Sequence, residues 1–122
     1  MILVDTSIWI DHLRQGDAML ADLLQTGQVL GHAFVIGEIA LGSLNRRQDI
    51  LTALQGLPQA AQARDDEVLH FIAQQDLAGL GIGYVDAHLL AATRLMPGTR
   101  LWTRDKRLHG AANRLGVAAK WS

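Results

Sequence analysis

Four short apolar or β-prone runs, set apart by stretches of helical periodicity, constrain this chain more than any other feature. Ile2-Leu3-Val4, Gln28-Val29-Leu30, Thr99 to Thr103 and Val117-Ala118-Ala119 are too short for helices and read as strands. Thr6 or Ser7 is expected to cap a first helix carrying Ile8, Trp9, Ile10 and Leu13. Asp17 to Gln25 places Leu20, Leu23 and Leu24 on one face and stops at Gly27. Phe34 to Leu44 is nearly all apolar and reads as a buried helix. Arg46 to Leu57 aligns Ile50, Leu51, Leu54 and Leu57 before Pro58. Asp65 to Leu77 is expected to bury Leu69, Ile72 and Ala73, while Gln59 to Arg64 fits either a weak strand or a loop. Two further helices run from Val85 to Met96 and from Lys106 to Leu115. Strands separated by helices imply a mainly parallel sheet of about four or five strands, covered by helices on both faces. The expected fold is thus one α/β domain spanning residues 1–122.

The acidic residues are placed unusually against this pattern. Asp5 ends the first strand, Glu38 sits alone among apolar neighbours, Asp86 opens Ala87-His88-Leu89-Leu90-Ala91-Ala92, and Asp105 follows Leu101-Trp102-Thr103-Arg104. A buried carboxylate needs a hydrogen-bond donor, a counter-charge or a metal. No basic residue stands beside Asp5, Glu38 or Asp86 in sequence. Each acid also has an ordinary explanation. Asp86 and Asp105 stand where helices begin, a favoured place for a capping Asp, and Asp5 suits a turn. Ligand sites in parallel sheets lie at the carboxyl ends of the strands, the edge that Asp5 and Asp105 share. Four carboxylates gathered there would suit Mg²⁺ or Mn²⁺, with Thr6, Ser7 and Thr103 as polar neighbours holding them.

Charge adds a reason to expect phosphate. The net charge is −1, yet the segment from Arg100 to Ser122 holds six basic residues and one acid, a local balance of +5. With the four acids neutralised by cations, eight acids would face eleven basic residues elsewhere, leaving +3. Arg104, Lys106 and Arg107, which flank Asp105, are candidate contacts for a phosphate-bearing substrate.

Cysteine is absent, which excludes disulfides, thiolate zinc sites and cysteine nucleophiles. No stretch approaches the roughly 20 apolar residues of a membrane span, and the N-terminal apolar run is too short for a signal peptide. A soluble cytoplasmic protein is expected. His12, His32, His70, His88 and His109 form no close ligand pair and read as surface or partner contacts. Gly79, Gly81 and Gly83 resemble a phosphate loop only loosely, lacking the Lys-Ser/Thr ending. Trp9, Trp102 and Trp121 read as packing residues rather than base-stacking platforms. A phosphoacceptor receiver domain has a similar length and an acidic pocket. It needs a central Asp at the end of a middle strand, whereas Asp49 falls within a helical stretch.

Four segments together resemble the PIN-domain ribonucleases, particularly the toxin subunits of VapBC-type toxin–antitoxin pairs. They are Leu3-Val4-Asp5-Thr6-Ser7, Gly37-Glu38-Ile39-Ala40-Leu41-Gly42, Tyr84 to Ala92 and Leu101 to Leu108, and they occur in the family's order. The resemblance implies a Mg²⁺- or Mn²⁺-dependent endoribonuclease with Asp5, Glu38, Asp86 and Asp105 as its acidic quartet. It also implies homodimerisation and inhibition by a cognate VapB-type antitoxin whose tail occupies the active-site groove. A solitary PIN nuclease, or a partner-binding module with little catalysis, are the alternatives. The segment between Gly42 and Gly83 matches only in helical character.

Overall fold

The computed structural model describes residues 1–121. Its centre is β1 (Ile2–Val4), flanked by β2 (Val29–Leu30) and β3 (Arg100–Trp102) in the order β2-β1-β3. Both pairings are parallel, with Leu3 opposite Leu30 on one side and Leu101 on the other. All three β1 residues are buried, so both sheet faces are covered, as parallel pairing with helical crossovers requires.

The described residues thus contain three strands rather than the four or five expected, with a single bridge extending each edge. Gln59 bridges Gly31, and Ala118 bridges Leu101, both in parallel. Each edge segment contributes one ladder residue and no more. Gln59 to Gln62 has no β-branched side chain to pack on a sheet face, and Val117 is followed only by small alanines. At Gly31 a Cβ would stand 2.7 Å from the Gln59 side-chain Nε2, so a larger residue would make that side chain shift.

Among the described residues seven helices surround this sheet: α1 (Thr6–Gln15), α2 (Ala18–Gln25), α3 (Ala33–Ala40), α4 (Arg47–Gln55), α5 (Asp65–Gln74), α6 (Tyr84–Leu95) and α7 (Lys106–Arg114). Helix α3 packs between α1 and α4, α5 pairs with α6, and α6 and α7 lie against β3. The middle of α6 is enclosed, with Ala87 through Thr93 all buried. Leu54 of α4 belongs to the core, and the partly buried Ile50 packs beside it.

Four expectations change. Thr6 and Ser7 lie inside the first turn of α1; Asp5 occupies its N-cap position, although its side chain makes no capping bond. Helix α3 begins earlier than expected and is amphipathic: Val35 and Ile39 point inward, one turn apart, while Leu41 just beyond it is 89% exposed. In α5 the buried residue is Val68, supported by Phe71 and Ile72, whereas Leu69 and Ala73 face solvent. The spacing i, i+3, i+4 from Val68 defines that face.

Two histidines are core residues rather than surface contacts. His32 and His88 are each 1% exposed and pack edge-on against Phe34. His32 Nδ1 accepts the Phe34 N–H at 3.0 Å and caps α3. Burial, reinforced by the nearby His88, pushes the His32 imidazole down to about 4. Protonating Nδ1 would also remove the acceptor that the cap uses.

Candidate functional site

The carboxyl end of β1 stops at a polar knot. Asp5 donates its backbone N–H to Trp102 O, while its carbonyl starts α1. Its carboxylate, 6% exposed, is thereby left for other work. Asp5 Oδ2 accepts from Thr103 Oγ1 at 2.7 Å and from Ser7 Oγ at 2.8 Å. Each hydroxyl has one proton, so the 3.3 Å Ser7–Thr103 contact is not a third bond in this arrangement. Both hydroxyls also accept from the following loop, Ser7 from Arg104 N–H and Thr103 from Asp105 N–H. The segment from Thr103 to Asp105 is therefore sewn to the β1–α1 turn.

The other three acids surround this knot. Asp105 caps α7, its Oδ1 accepting from Arg107 and Leu108 N–H. Asp86 sits in the first turn of α6, its Oδ2 accepting from Gly83 N–H. Glu38 lies on the exposed side of α3, and Thr6 Oγ1 donates to its Oε1 at 2.6 Å. The capping readings of Asp86 and Asp105 therefore hold, but for one oxygen each. In all four acids one carboxylate oxygen is fixed by a protein donor. The second oxygen, Asp5 Oδ1, Glu38 Oε2, Asp86 Oδ1 or Asp105 Oδ2, makes no hydrogen bond among the described residues. Glu38 owes nothing to burial; the cost of an enclosed carboxylate applies to Asp5, and its two hydroxyl donors meet it.

The four negative charges interact. Burial pushes the Asp86 carboxyl up, and the charges of Asp5, Asp105 and Glu38 push it the same way, against the Gly83 N–H that favours ionisation. The set is gathered but not converged: among the described residues, no three acidic or histidine side chains stand close enough to hold one ion as they lie. Its donor chemistry, oxygen ligands on four separate elements each pre-oriented by a protein donor, suits a hard divalent cation.

The three basic candidates differ. Arg104 is committed to two carboxylates, donating to Asp11 Oδ2 and Asp17 Oδ2 at 2.6 Å each. The Leu20 N–H and then Arg104 hold the Asp17 carboxyl below its usual range. Arg107 lies across Gly81 in the loop before α6. Gly81 has φ +78°, and a Cβ there would stand 2.7 Å from Arg107 Nη1. Lys106 makes no ion pair or side-chain hydrogen bond among the described residues. The acid at the end of the central strand is Asp5, held by Ser7 and Thr103, and not Asp49. Asp49 sits on α4, exposed and paired with Arg46 at 3.0 Å.

Beside Glu38 runs a groove of about 540 Å³ between α1, α3 and α4, lined by Ile10, Leu13, Arg14, Ile39 and Ile50 among others. Ile10 and Leu13 are substantially exposed. This patch was not legible in the sequence, where Phe34 to Leu44 read as buried. No helix among the described residues is long and apolar enough to cross a membrane.

A sequence profile of the PIN domain matches residues 2–113. Ribonuclease VapC32 of Mycobacterium tuberculosis (strain CDC 1551 / Oshkosh) is 49% identical over 118 residues, covering 97% of this chain and 95% of the relative. Ribonuclease VapC32 of Mycobacterium tuberculosis (strain ATCC 25618 / H37Rv) matches to the same extent.

Proposed function

The chain belongs to the PIN-domain family as a VapC-type member, and from that premise we propose that it is the toxin of a type II toxin–antitoxin pair, an endoribonuclease dependent on Mg²⁺ or Mn²⁺. Asp5, Glu38, Asp86 and Asp105 form its site. The observation that carries the reading is the shared state of these carboxylates: one oxygen of each is fixed by a protein donor, and the other is unpartnered on one edge of the sheet. When bound, a divalent cation supplies an activated water and charge neutralisation at the phosphodiester.

The chain's own residues have distinct tasks. Asp5 is the most rigidly held, since Ser7 and Thr103 fix Oδ2 and direct Oδ1 outward as a principal ligand. Asp86 and Asp105, each tied to backbone N–H groups at a helix start, present Oδ1 and Oδ2 from the opposite side chains of the set. Glu38, on an exposed helix face and steadied by Thr6, serves as a further ligand or takes a proton at Oε2 from the attacking water. Lys106 and Arg107 favour the approach of a polyanion to this acidic edge.

The groove beside Glu38 suits the expected VapB-type antitoxin. A partner segment laid over Ile10 and Leu13 would bury exposed apolar surface and cover Glu38. A homodimer in the cytoplasm completes the reading.

Purified protein should cut labelled single-stranded RNA in Mg²⁺ or Mn²⁺ and stop when EDTA is added. Undiminished cutting in EDTA would remove the metal requirement. No cutting under any condition would remove the ribonuclease assignment.

A further inference from the structure

A second groove, of about 720 Å³, starts at Thr103 and runs along α7 to the end of the described chain. Its walls are Arg104, Lys106, His109, Asn113, Lys120 and Trp121, with no acidic residue among them. Lys106, His109 and Asn113 share one face of α7 by their spacing. Because Arg104 is neutralised by Asp11 and Asp17, the working cations here are Lys106 and Lys120. Neither has an ion-pair or side-chain hydrogen-bond partner among the described residues.

Trp121 is the informative wall. Trp102 is enclosed in the core, but Trp121 is only partly buried. Its ring meets Trp102 at 5.5 Å and 81°, an edge contact that fixes the indole while part of it borders the groove. An oriented indole, two unpaired lysines and hydrogen-bonding side chains between them match a base, its phosphates and its polar edges. The near end is Thr103, whose hydroxyl holds Asp5. A chain lying in this groove therefore arrives directly at the acidic edge.

We propose that this groove is a nucleotide subsite for single-stranded RNA flanking the scissile phosphodiester, with Lys106 and Lys120 on phosphates and Trp121 stacking on a base. The assignment rests on the ribonuclease reading above and adds to it where the substrate lies. Charge alone would also suit an acidic protein tail; the indole beside the lysines favours a base.

The test uses the whole protein in EDTA, so that binding is measured without cleavage. A fluorescein-labelled, mixed-sequence single-stranded RNA is titrated while its anisotropy is followed, at several salt concentrations. Lys106→Gln/Lys120→Gln should weaken binding about tenfold and make the salt dependence of log K shallower by about 1.4, from two lost phosphate contacts. Trp121→Ala should lose about tenfold and Trp121→Phe should recover most of it. Melting temperatures identify any variant that fails to fold, and the two exposed lysines leave the fold intact. Unchanged affinity and salt slope in the lysine variant would overturn the subsite. So would tight binding of a poly-glutamate peptide that the same substitutions abolish while RNA binding persists. Cleavage of the same RNA in Mg²⁺ is scored separately. Wild-type cutting with unaltered variant binding removes the subsite alone, whereas groove-dependent binding without any cutting removes the nuclease reading alone.

Discussion

Thr103 and Asp5, 98 residues apart in sequence, are joined by a 2.7 Å hydrogen bond at the end of neighbouring parallel strands. The Thr103 hydroxyl also accepts Asp105 N–H, so one side chain orients one acid and positions the loop of another. Thr103→Val keeps the shape and removes both bonds. It should cost about 1–3 kcal/mol in denaturant unfolding, because the buried Asp5 carboxylate and the part-buried Asp105 N–H each lose a partner. It should also slow RNA cleavage about tenfold or more, with Thr103→Ser restoring most of both. Equal stability and rate in Thr103→Val would show that Ser7 alone holds Asp5.

Asp86→Asn should separate function from stability. The Asp86 carboxyl is pushed up by burial and by three neighbouring acids. A carboxyl raised above its unfolded value stabilises the fold below that value and loses this contribution as pH rises through the folded value. At neutral pH in EDTA its charge is therefore a cost. The isosteric Asn should raise the melting temperature in EDTA, while cleavage in Mg²⁺ is lost. A lower melting temperature in EDTA would contradict the repulsion.

His32 predicts acid sensitivity. Its folded value of about 4 lies below the ordinary 6.5, so the unfolded chain takes up a proton first. Its contribution is complete above pH 6.5 and lost as pH falls towards about 4, on the order of 3 kcal/mol in all. His32→Asn keeps an acceptor for the Phe34 N–H and should flatten urea-unfolding stability between pH 7.5 and 5. An unchanged slope would place the sensitivity elsewhere.

Arg104 should behave as a tie between elements rather than as an RNA contact. Arg104→Gln leaves Asp11 and Asp17 unpaired and should cost roughly 1 kcal/mol, as a partly exposed network does. Lys106→Gln should leave the melting temperature unchanged and weaken RNA binding instead. The reverse ranking would return Arg104 to the RNA-contacting role.

Asp5 and Asp105 follow strands as the sequence implied, because an acid ending an apolar run reports a strand end, a local signal. Glu38 was singled out for a reason that does not hold. Its apolar neighbours suggested burial, but Val35 and Ile39 fill the inward positions one turn apart and leave Glu38 outside. The fourth and fifth strands shrank to bridges at Gln59 and Ala118 because edge residues without branched side chains gain little from a longer ladder. His88 carried no local mark, since its partners Phe34 and Asp65 come from α3 and α5. The α7 groove was illegible for the same reason. Trp121 acquires meaning only when Thr103 and Lys106 are brought beside it.

The central claim is that the acidic edge around Asp5 cuts RNA, and Asp5→Asn tests it most directly. Asn retains an oxygen acceptor for Ser7 and Thr103 while deleting the charge. The measurement is the single-turnover cleavage rate of a labelled RNA in Mg²⁺, at matched folded population checked by thermal melting. The expected result is a fall on the order of a hundredfold or more with the fold intact. Cutting by folded Asp5→Asn protein at the wild-type rate would contradict the site.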